Sequence, residues 1–154
     1  MDNQQQLEIL RNRFGPEIVE WKEQWGELTV VVKREAIVRI CEFLRDEPGL
    51  EYNFLSSVTG VDLGVDANPR FEVVYHLYSI PQRHRIRLKV RVNEDQPVPT
   101  VTGVWKAADW YERETYDFFG VTFDGHPNLR RIMMPDEYEG HPLRKDFPLR
   151  GYRR

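Results

Sequence analysis

A single cysteine, Cys41, is present. One thiol cannot close an internal disulfide, and one thiolate cannot hold an iron–sulfur cluster of the usual four-ligand kind. Nor is Cys41 placed as a nucleophile, which needs an exposed, electropositive setting; it falls in the apolar stripe of a helix and reads as a core thiol. No apolar run reaches the roughly 18 residues that a membrane-spanning helix needs. The opening MDNQQQLEIL has no basic stretch followed by an apolar core, so no secretory signal is expected. GxGxxG, Walker A, GxSxG, HExxH and DxDxDG patterns are all missing, which removes the common dinucleotide, phosphate-loop, serine-hydrolase, zinc and calcium classes. With a net charge of −3, general polyanion binding has no support either. The expectation is an intracellular protein, soluble by itself or peripheral to a membrane.

What is present suits one folded domain. A length of 154 residues is enough to bury a proper core, and a 40% apolar, 12% aromatic composition supplies it. Leu7, Leu10 and Phe14 mark one side of a short first helix, stopped by Gly15-Pro16. Ile18 to Trp21, a turn over Gln24 to Glu27, and LTVVVK read as a β-hairpin. Ala36, Ile37, Ile40, Cys41 and Leu44 form the stripe of a second helix. Three strands follow, at Tyr52–Val61, Arg70–Ser79 and Arg83–Val92. In the last, Arg83, Arg85, Arg87, Lys89 and Arg91 alternate with apolar residues, as in a half-buried antiparallel strand. The fold class is α+β: two layers, a mostly antiparallel sheet of about five strands with helices on one face, then a C-terminal helix and a long extended tail. Residues 1–104 form the α+β body, and residues 105–154 the helix and tail of the same structural domain.

That last part organises the rest. Ala108, Tyr111, Thr115 and Phe118 lie at helical spacing, with Gly120 where a left-handed cap belongs. Asp109, Arg113 and Asp117 recur at four-residue steps, so Arg113 is expected to sit between two carboxylates. Beyond Gly120 the sequence is broken by Gly125, Gly140 and Gly151 and by Pro127, Pro135, Pro142 and Pro148, so long helices or paired strands are not expected. Yet it carries Val121, Phe123, Leu129, Ile132, Met133, Met134, Tyr138, Leu143, Phe147 and Leu149. These residues need a surface, and a partner protein is the favoured one over the protein's own core. From Gly140 onward Arg144, Lys145, Arg150, Arg153 and Arg154 against Asp146 give +4, leaving −7 on the remainder. A basic end on an acidic body suits an acidic partner or anionic lipid heads, or else is a solvated tip.

Other constellations have bland explanations. The basic strand could bind RNA, but its cationic side lacks stacking aromatics of its own; a solvated face, or one covered by acidic neighbours, is the preferred reading. Asp124, His126, Asp136, Glu137 and His141 are conceivable metal ligands without a ligand spacing. Gly125-His126-Pro127 and Gly140-His141-Pro142 read instead as turns with a histidine bonding backbone. Glu112 and Glu114 point to different sides of their helix, and salt bridges to arginines suit them better than acid–base chemistry. Nothing assembles an active site.

ERETYDFFG (from Glu112), FDGHPNLRRIMMP (from Phe123) and EGHPLRKDFP (from Glu139), in that order and spacing, closely resemble the C-type subunit family of proton-translocating NADH:quinone oxidoreductase, respiratory complex I. Tyr138 and Phe118-Phe119 are small departures. The resemblance implies a subunit of the enzyme complex with no active site of its own. It binds no cofactor itself, while the complex holds NADH, FMN, iron–sulfur clusters and quinone. The implied place is the peripheral arm on the cytoplasmic side of a bacterial inner membrane, meeting the membrane only through the complex. There it would brace and assemble the region beside the D-type, quinone-pocket subunit and the iron–sulfur subunits. The implied interface and motif residues are Asp109, Glu112, Arg113, Glu114, Asp117, Gly120, Gly125, His126, Pro127, Arg130, Arg131, Pro135, Gly140, His141, Pro142, Leu143, Arg144, Lys145, Asp146 and Pro148. Of these, Asp109, Glu112, Arg113, Glu114 and Asp117 with Arg130, Arg131, Arg144 and Lys145 are expected to form an ionic frame that fixes the tail's path. Related membrane-bound hydrogenase complexes have a similar subunit; a free-standing enzyme or RNA-binding protein is the alternative of another class. A self-sufficient protein should bury Phe123, Ile132, Met133 and Phe147 against its own core.

Overall fold

Asp2 opens the first helix, α1 (Asn3–Phe14). Its carboxylate accepts the Gln5 N–H at 2.8 Å, while Gln5 Oε1 accepts the Asp2 N–H at 2.9 Å, a reciprocal capping box. A single turn at Gly15–Glu17 follows, then β1 (Ile18–Gln24) and β2 (Glu27–Val32). They are joined through Trp25 and Gly26, whose φ angles of 52° and 77° are both left-handed. Two such residues give a turn whose twist matches that of the strands it joins. The structure, a computed structural model, describes residues 1–148. Expectations placed on Leu149, Arg150, Gly151, Arg153 and Arg154 lie outside the described residues.

Helix α2 (Ile37–Asp46) buries Ile37, Ile40, Cys41 and Leu44, the stripe expected from its spacing. Strands β3 (Phe54–Asp62), β4 (Phe71–Ser79) and β5 (His84–Val92) complete a five-stranded sheet in the order β1-β2-β5-β4-β3. Pairing is antiparallel except between β2 and β5, which run parallel because α2 and the β3–β4 hairpin intervene between them. One face carries the core. Val30, Val73, Tyr75, Leu88 and Val90 meet Leu10, Ile40 and Leu44 from the helices in one continuous cluster. Burying each Val, Leu, Ile or Phe contributes about 1.5–3 kcal/mol. Val101, Trp105, Ala108, Val121 and Phe123 belong to the same cluster, so the region around the third helix shares the core of the body.

The opposite face bears the cations of β5, and acidic neighbours meet three of them. Arg87 pairs with Glu27 at 2.9 Å, Lys89 with Glu72 at 3.4 Å, and Arg91 with Glu72 at 3.0 Å and Glu20 at 2.5 Å. Arg83 is not in the strand; it sits in the preceding turn with a φ of 54°.

After β5, the short β6 (Val98–Pro99) leads to α3 (Ala108–Phe119), which packs on β3. Gly120 ends it with a φ of 78°, the left-handed cap expected there. Beyond it lies neither a helix nor a long strand among the described residues. A two-residue strand, β7 (Phe123–Asp124), does pair with β6. The α3–β3 contact depends on Gly60, because a Cβ there would stand 2.6 Å from the Phe119 ring. Gly60→Ala should therefore cost about 1–3 kcal/mol through overpacking, read as a lower melting temperature. An unchanged melting temperature would show that the helix does not seat this closely.

Candidate partner interface

The last turn of a helix leaves carbonyls without intrahelical donors. In α3 four consecutive ones are met. Tyr116 O accepts Gly120 N–H at 2.7 Å, Asp117 O accepts His141 Nδ1–H at 2.9 Å, Phe118 O accepts Leu143 N–H at 3.0 Å, and Phe119 O accepts Arg144 Nε–H at 2.7 Å. Three of the four donors come from the second Gly-His-Pro block and the two residues after it. Arg144 also brings positive charge to the negative end of the helix dipole. A side chain on Gly120 would strike both His141 and Arg144, at 2.7 Å, so glycine is needed for space as well as for φ.

The Asp109, Arg113 and Asp117 face grips the tail along its length. His126 accepts Asn128 N–H on Nδ1 at 3.0 Å and donates from Nε2 to Asp109 O at 3.1 Å. Arg113 Nε donates to Arg130 O at 3.3 Å. Asp117 Oδ2 accepts three successive amides, Ile132, Met133 and Met134, at 3.2, 2.7 and 2.9 Å. Its Oδ1 lies 3.2 Å from Arg131 Nε, a charge contact without hydrogen-bond direction, and Arg131 also donates to Gly140 O. The tail thus descends parallel to α3. The expected arginine between two carboxylates does not form: among the described residues Arg113 has no ion pair, because each member of the row reaches across to the tail instead of along the helix.

The remaining frame residues are also redistributed. Arg130 pairs with Asp136 at 3.3 Å, Arg144 with Glu94 at 2.7 Å, and Glu114 accepts the Trp110 indole N–H at 2.7 Å. Among the described residues neither Glu112 nor Glu114 bridges an arginine, contrary to expectation. The RKD block docks on the body through residues that carry no motif. Arg70 holds Asp62 with two bonds of 3.0 and 2.9 Å and Asp146 with one of 3.0 Å, and Lys145 N–H reaches Asp62 at 2.7 Å. The guanidinium and two backbone amides hold the Asp62 carboxyl well below its ordinary range. Arg70 and Arg144 both lie over the Phe71 ring, at 4.9 and 5.2 Å.

Glu112 is the buried exception. Thr100 Oγ1 donates to one carboxyl oxygen at 2.5 Å and Val101 N–H to the other at 2.9 Å, tying α3 to the loop before it. Burial pushes its pKa up to about 7, against the downward pull of those two bonds. The same apolar surroundings raise the Cys41 thiol and the Tyr75 phenol, so Cys41 is a core thiol.

The two histidines behave as turn elements bonding backbone. His126 uses both ring nitrogens, and burial lowers the pKa of His141. Among the described residues no three His, Cys, Asp or Glu side chains converge on one point that could hold an ion. The tail's apolar residues divide between inside and outside. Val121 and Phe123 are buried in the protein's own core, and Ile132, Tyr138 and Phe147 are half-buried. Met133 is 55% and Leu143 54% exposed, and Trp110 of α3 is half-exposed with them. Gly125, Pro127, Pro135, Gly140, Pro142 and Pro148 shape the turns between these anchors.

Residues 30–153 match the family described as respiratory-chain NADH dehydrogenase, 30 Kd subunit. The protein is 52% identical over 152 residues to the C subunit of NADH-quinone oxidoreductase from Geotalea uraniireducens (strain Rf4), covering 97% of this chain and 90% of that one. It is 52% identical over 150 residues to the equivalent subunit from Roseiflexus sp. (strain RS-1), covering 97% and 86%. Similar solved structures include the following two. The trypsin-resistant fragment (1-134) of Nqo5 has a TM-score of 0.66 and 33% identity, over 80% of this chain and 98% of the fragment. A polypeptide of the membrane-bound sulfane sulfur reductase, an archaeal respiratory membrane complex, has a TM-score of 0.77 and 26% identity, over 95% of this chain and 85% of that one.

Two predictions test the geometry. Asp117→Ala should speed amide exchange at Ile132, Met133 and Met134 at least about tenfold while the sheet amides hold, since bonds to a charged acceptor contribute about 1.5–3 kcal/mol; unchanged exchange would mean the carboxylate does not anchor the tail. Glu112 holds a proton in the fold between its ordinary pKa of 4.5 and about 7, where the unfolded protein has lost it. Its contribution to stability therefore falls as pH rises through that window. Glu112→Gln, which reproduces the protonated hydrogen bonds, should melt increasingly above the parent as pH goes from 5 to 8; a constant difference would refute the shift.

Proposed function

Because the protein belongs to the respiratory-chain NADH dehydrogenase 30 Kd subunit family, which includes the C subunits of NADH-quinone oxidoreductase, we propose that it is a non-catalytic, cofactor-free subunit of the peripheral arm. In this reading it braces and assembles the quinone-site and iron–sulfur region, beside the D-type, quinone-pocket subunit and the cluster-bearing subunits, on the cytoplasmic side of a bacterial inner membrane. It takes part in electron transfer from NADH to quinone only as a member of the complex. No helix among the described residues is long and apolar enough to cross a membrane, which fits attachment through other subunits.

The observation that carries the reading is the division of the tail. Asp117, His126, Arg131, His141 and Arg144 hold it to its own helix, and its outward side presents Met133 and Leu143 among charged residues such as Asp136 and Lys145, with Trp110 half-exposed on α3. A segment fixed from behind with exposed methionine and leucine is a preorganised contact surface, which lowers the ordering cost of binding. The likeness to a polypeptide of the sulfane sulfur reductase favours one second reading, an equivalent subunit of a related membrane-bound complex with another electron donor or acceptor.

A tagged form purified from its own cells in mild detergent should bring flavin- and cluster-bearing subunits and NADH:quinone activity. Co-elution without NADH oxidation would favour the second reading, and a lone folded monomer would overturn both. Met133→Glu with Leu143→Glu should leave the melting temperature within a few degrees while lowering incorporation at least about tenfold. Arg113→Ala, which loses one bond to a backbone carbonyl, should affect incorporation less than Asp117→Ala.

A further inference from the structure

On the outer sheet face, β5 is neutralised residue by residue until its start. Arg91, Lys89 and Arg87 each have an acidic partner. Arg85, the next on that face, is exposed and has no ion pair among the described residues; its guanidinium lies 5.7 Å from the centre of the Tyr78 ring. Arg83, in the adjoining turn, is exposed and also lacks an ion pair there. Positive charge without an ion pair among the described residues therefore gathers at this end of the face, with Lys22 of β1 beyond it in the row of Thr29 and Arg87, on a protein whose net charge is −3.

That end is also where the face is apolar and concave. Phe54, Tyr78 and Arg85 stand in one row across β3, β4 and β5, and Ser57, His76 and Arg87 in the next. The register of β3 shifts between Leu55 and Ser57, leaving Ser56 as an extra residue, and such bulges bend a strand and re-aim its side chains. Between the rows lies a groove of about 410 Å³, with Phe54 47% exposed at its edge. His76, half-buried in its floor, is held below its usual pKa by burial and by the charge of Arg87, so it adds hydrogen bonding at neutral pH without charge.

Resting on the subunit reading above, we propose that this groove receives an acidic segment of a neighbouring protein subunit: an Asp or Glu carboxylate meets Arg85, and an apolar side chain of the same segment lies against Phe54 and Tyr78. A carboxylate can take two parallel N–H bonds from an arginine, and the aromatic behind Arg85 holds the guanidinium plane for it. A polypeptide suits the groove better than a nucleic acid. Glu27 borders the groove, and the cations without an ion pair among the described residues on this part of the face, Arg83, Arg85 and Lys22, are too few to follow a phosphate backbone. This surface lies on the sheet, whereas Trp110, Met133 and Leu143 lie on α3 and the tail, so the protein would be held at two separate places.

The test uses the intact purified complex with p-benzoylphenylalanine placed at Phe54 and, in a parallel preparation, at Met133. Irradiation should link position 54 to another subunit within a segment carrying Asp or Glu. Adding Arg85→Glu should lower that yield at least about tenfold, as expected for a like-charge contact, without changing the melting temperature. A crosslink at Met133 with none at Phe54, or a Phe54 adduct to RNA or to this protein alone, would overturn the groove proposal while leaving the subunit reading standing. No crosslink at either position and no co-purifying subunits would remove the subunit reading itself.

Discussion

One carboxylate decides the path of the last stretch of described residues. Asp117 lies wholly inside, and its oxygens meet three consecutive backbone amides and the Arg131 guanidinium. A buried charge is costly unless paired and hydrogen-bonded, and here the donors can come only from a tail laid along α3. The residue that needs the tail also sits where the helix runs out of donors, so two stretches of the tail close on one helix end: residues 131–134 meet the Asp117 side chain, and His141, Leu143 and Arg144 meet the carbonyls of Asp117, Phe118 and Phe119. The ERETYDFFG and EGHPLRKDFP blocks are therefore two halves of one clamp, which explains why neither reads as a site alone.

Carboxylates in this molecule fall into opposite classes according to what they face. Asp62 meets a guanidinium and two amides and is held ionised into acid. Glu112 meets a hydroxyl and one amide in an apolar pocket, and its proton comes off only near neutrality. Both are structural. One ties the tail to the sheet, the other ties the loop before α3 to the helix. A shifted pKa marks a functional residue only when the group also faces a cleft, and Glu112 does not.

Periodicity made much of the body legible. The stripe of α2, the alternation of β5 and the turn at Trp25-Gly26 announce themselves because local spacing and face are linked by geometry. The Gly120 cap is equally plain. The tail's attachment was harder to read. An aspartate, an arginine and an aspartate at four-residue steps look alike whether they pair along the helix or reach outward, and only what packs beside them decides between the two. Asp62, Arg70 and Glu94 had no signal at all, since they meet residues up to 83 positions away and follow no period. Glu112 and Gln6, both without exposure, break the ordinary rule that polar residues stay outside, and composition cannot reveal such exceptions.

The Asp62–Lys145 and Arg70–Asp146 bonds bridge 83 and 76 residues, joining the end of the β3–β4 hairpin to almost the last of the described residues. Proteins are made from the N-terminus, and domains begin folding while synthesis continues. A nascent polypeptide can therefore assemble its sheet early, but Asp62 and Arg70 keep an incomplete set of partners until the final block emerges. Completion of this corner is a record that translation has passed the RKD block. A product truncated before it would carry a charged, half-satisfied gap beside Phe71, a chemical difference by which finished and unfinished copies can be told apart.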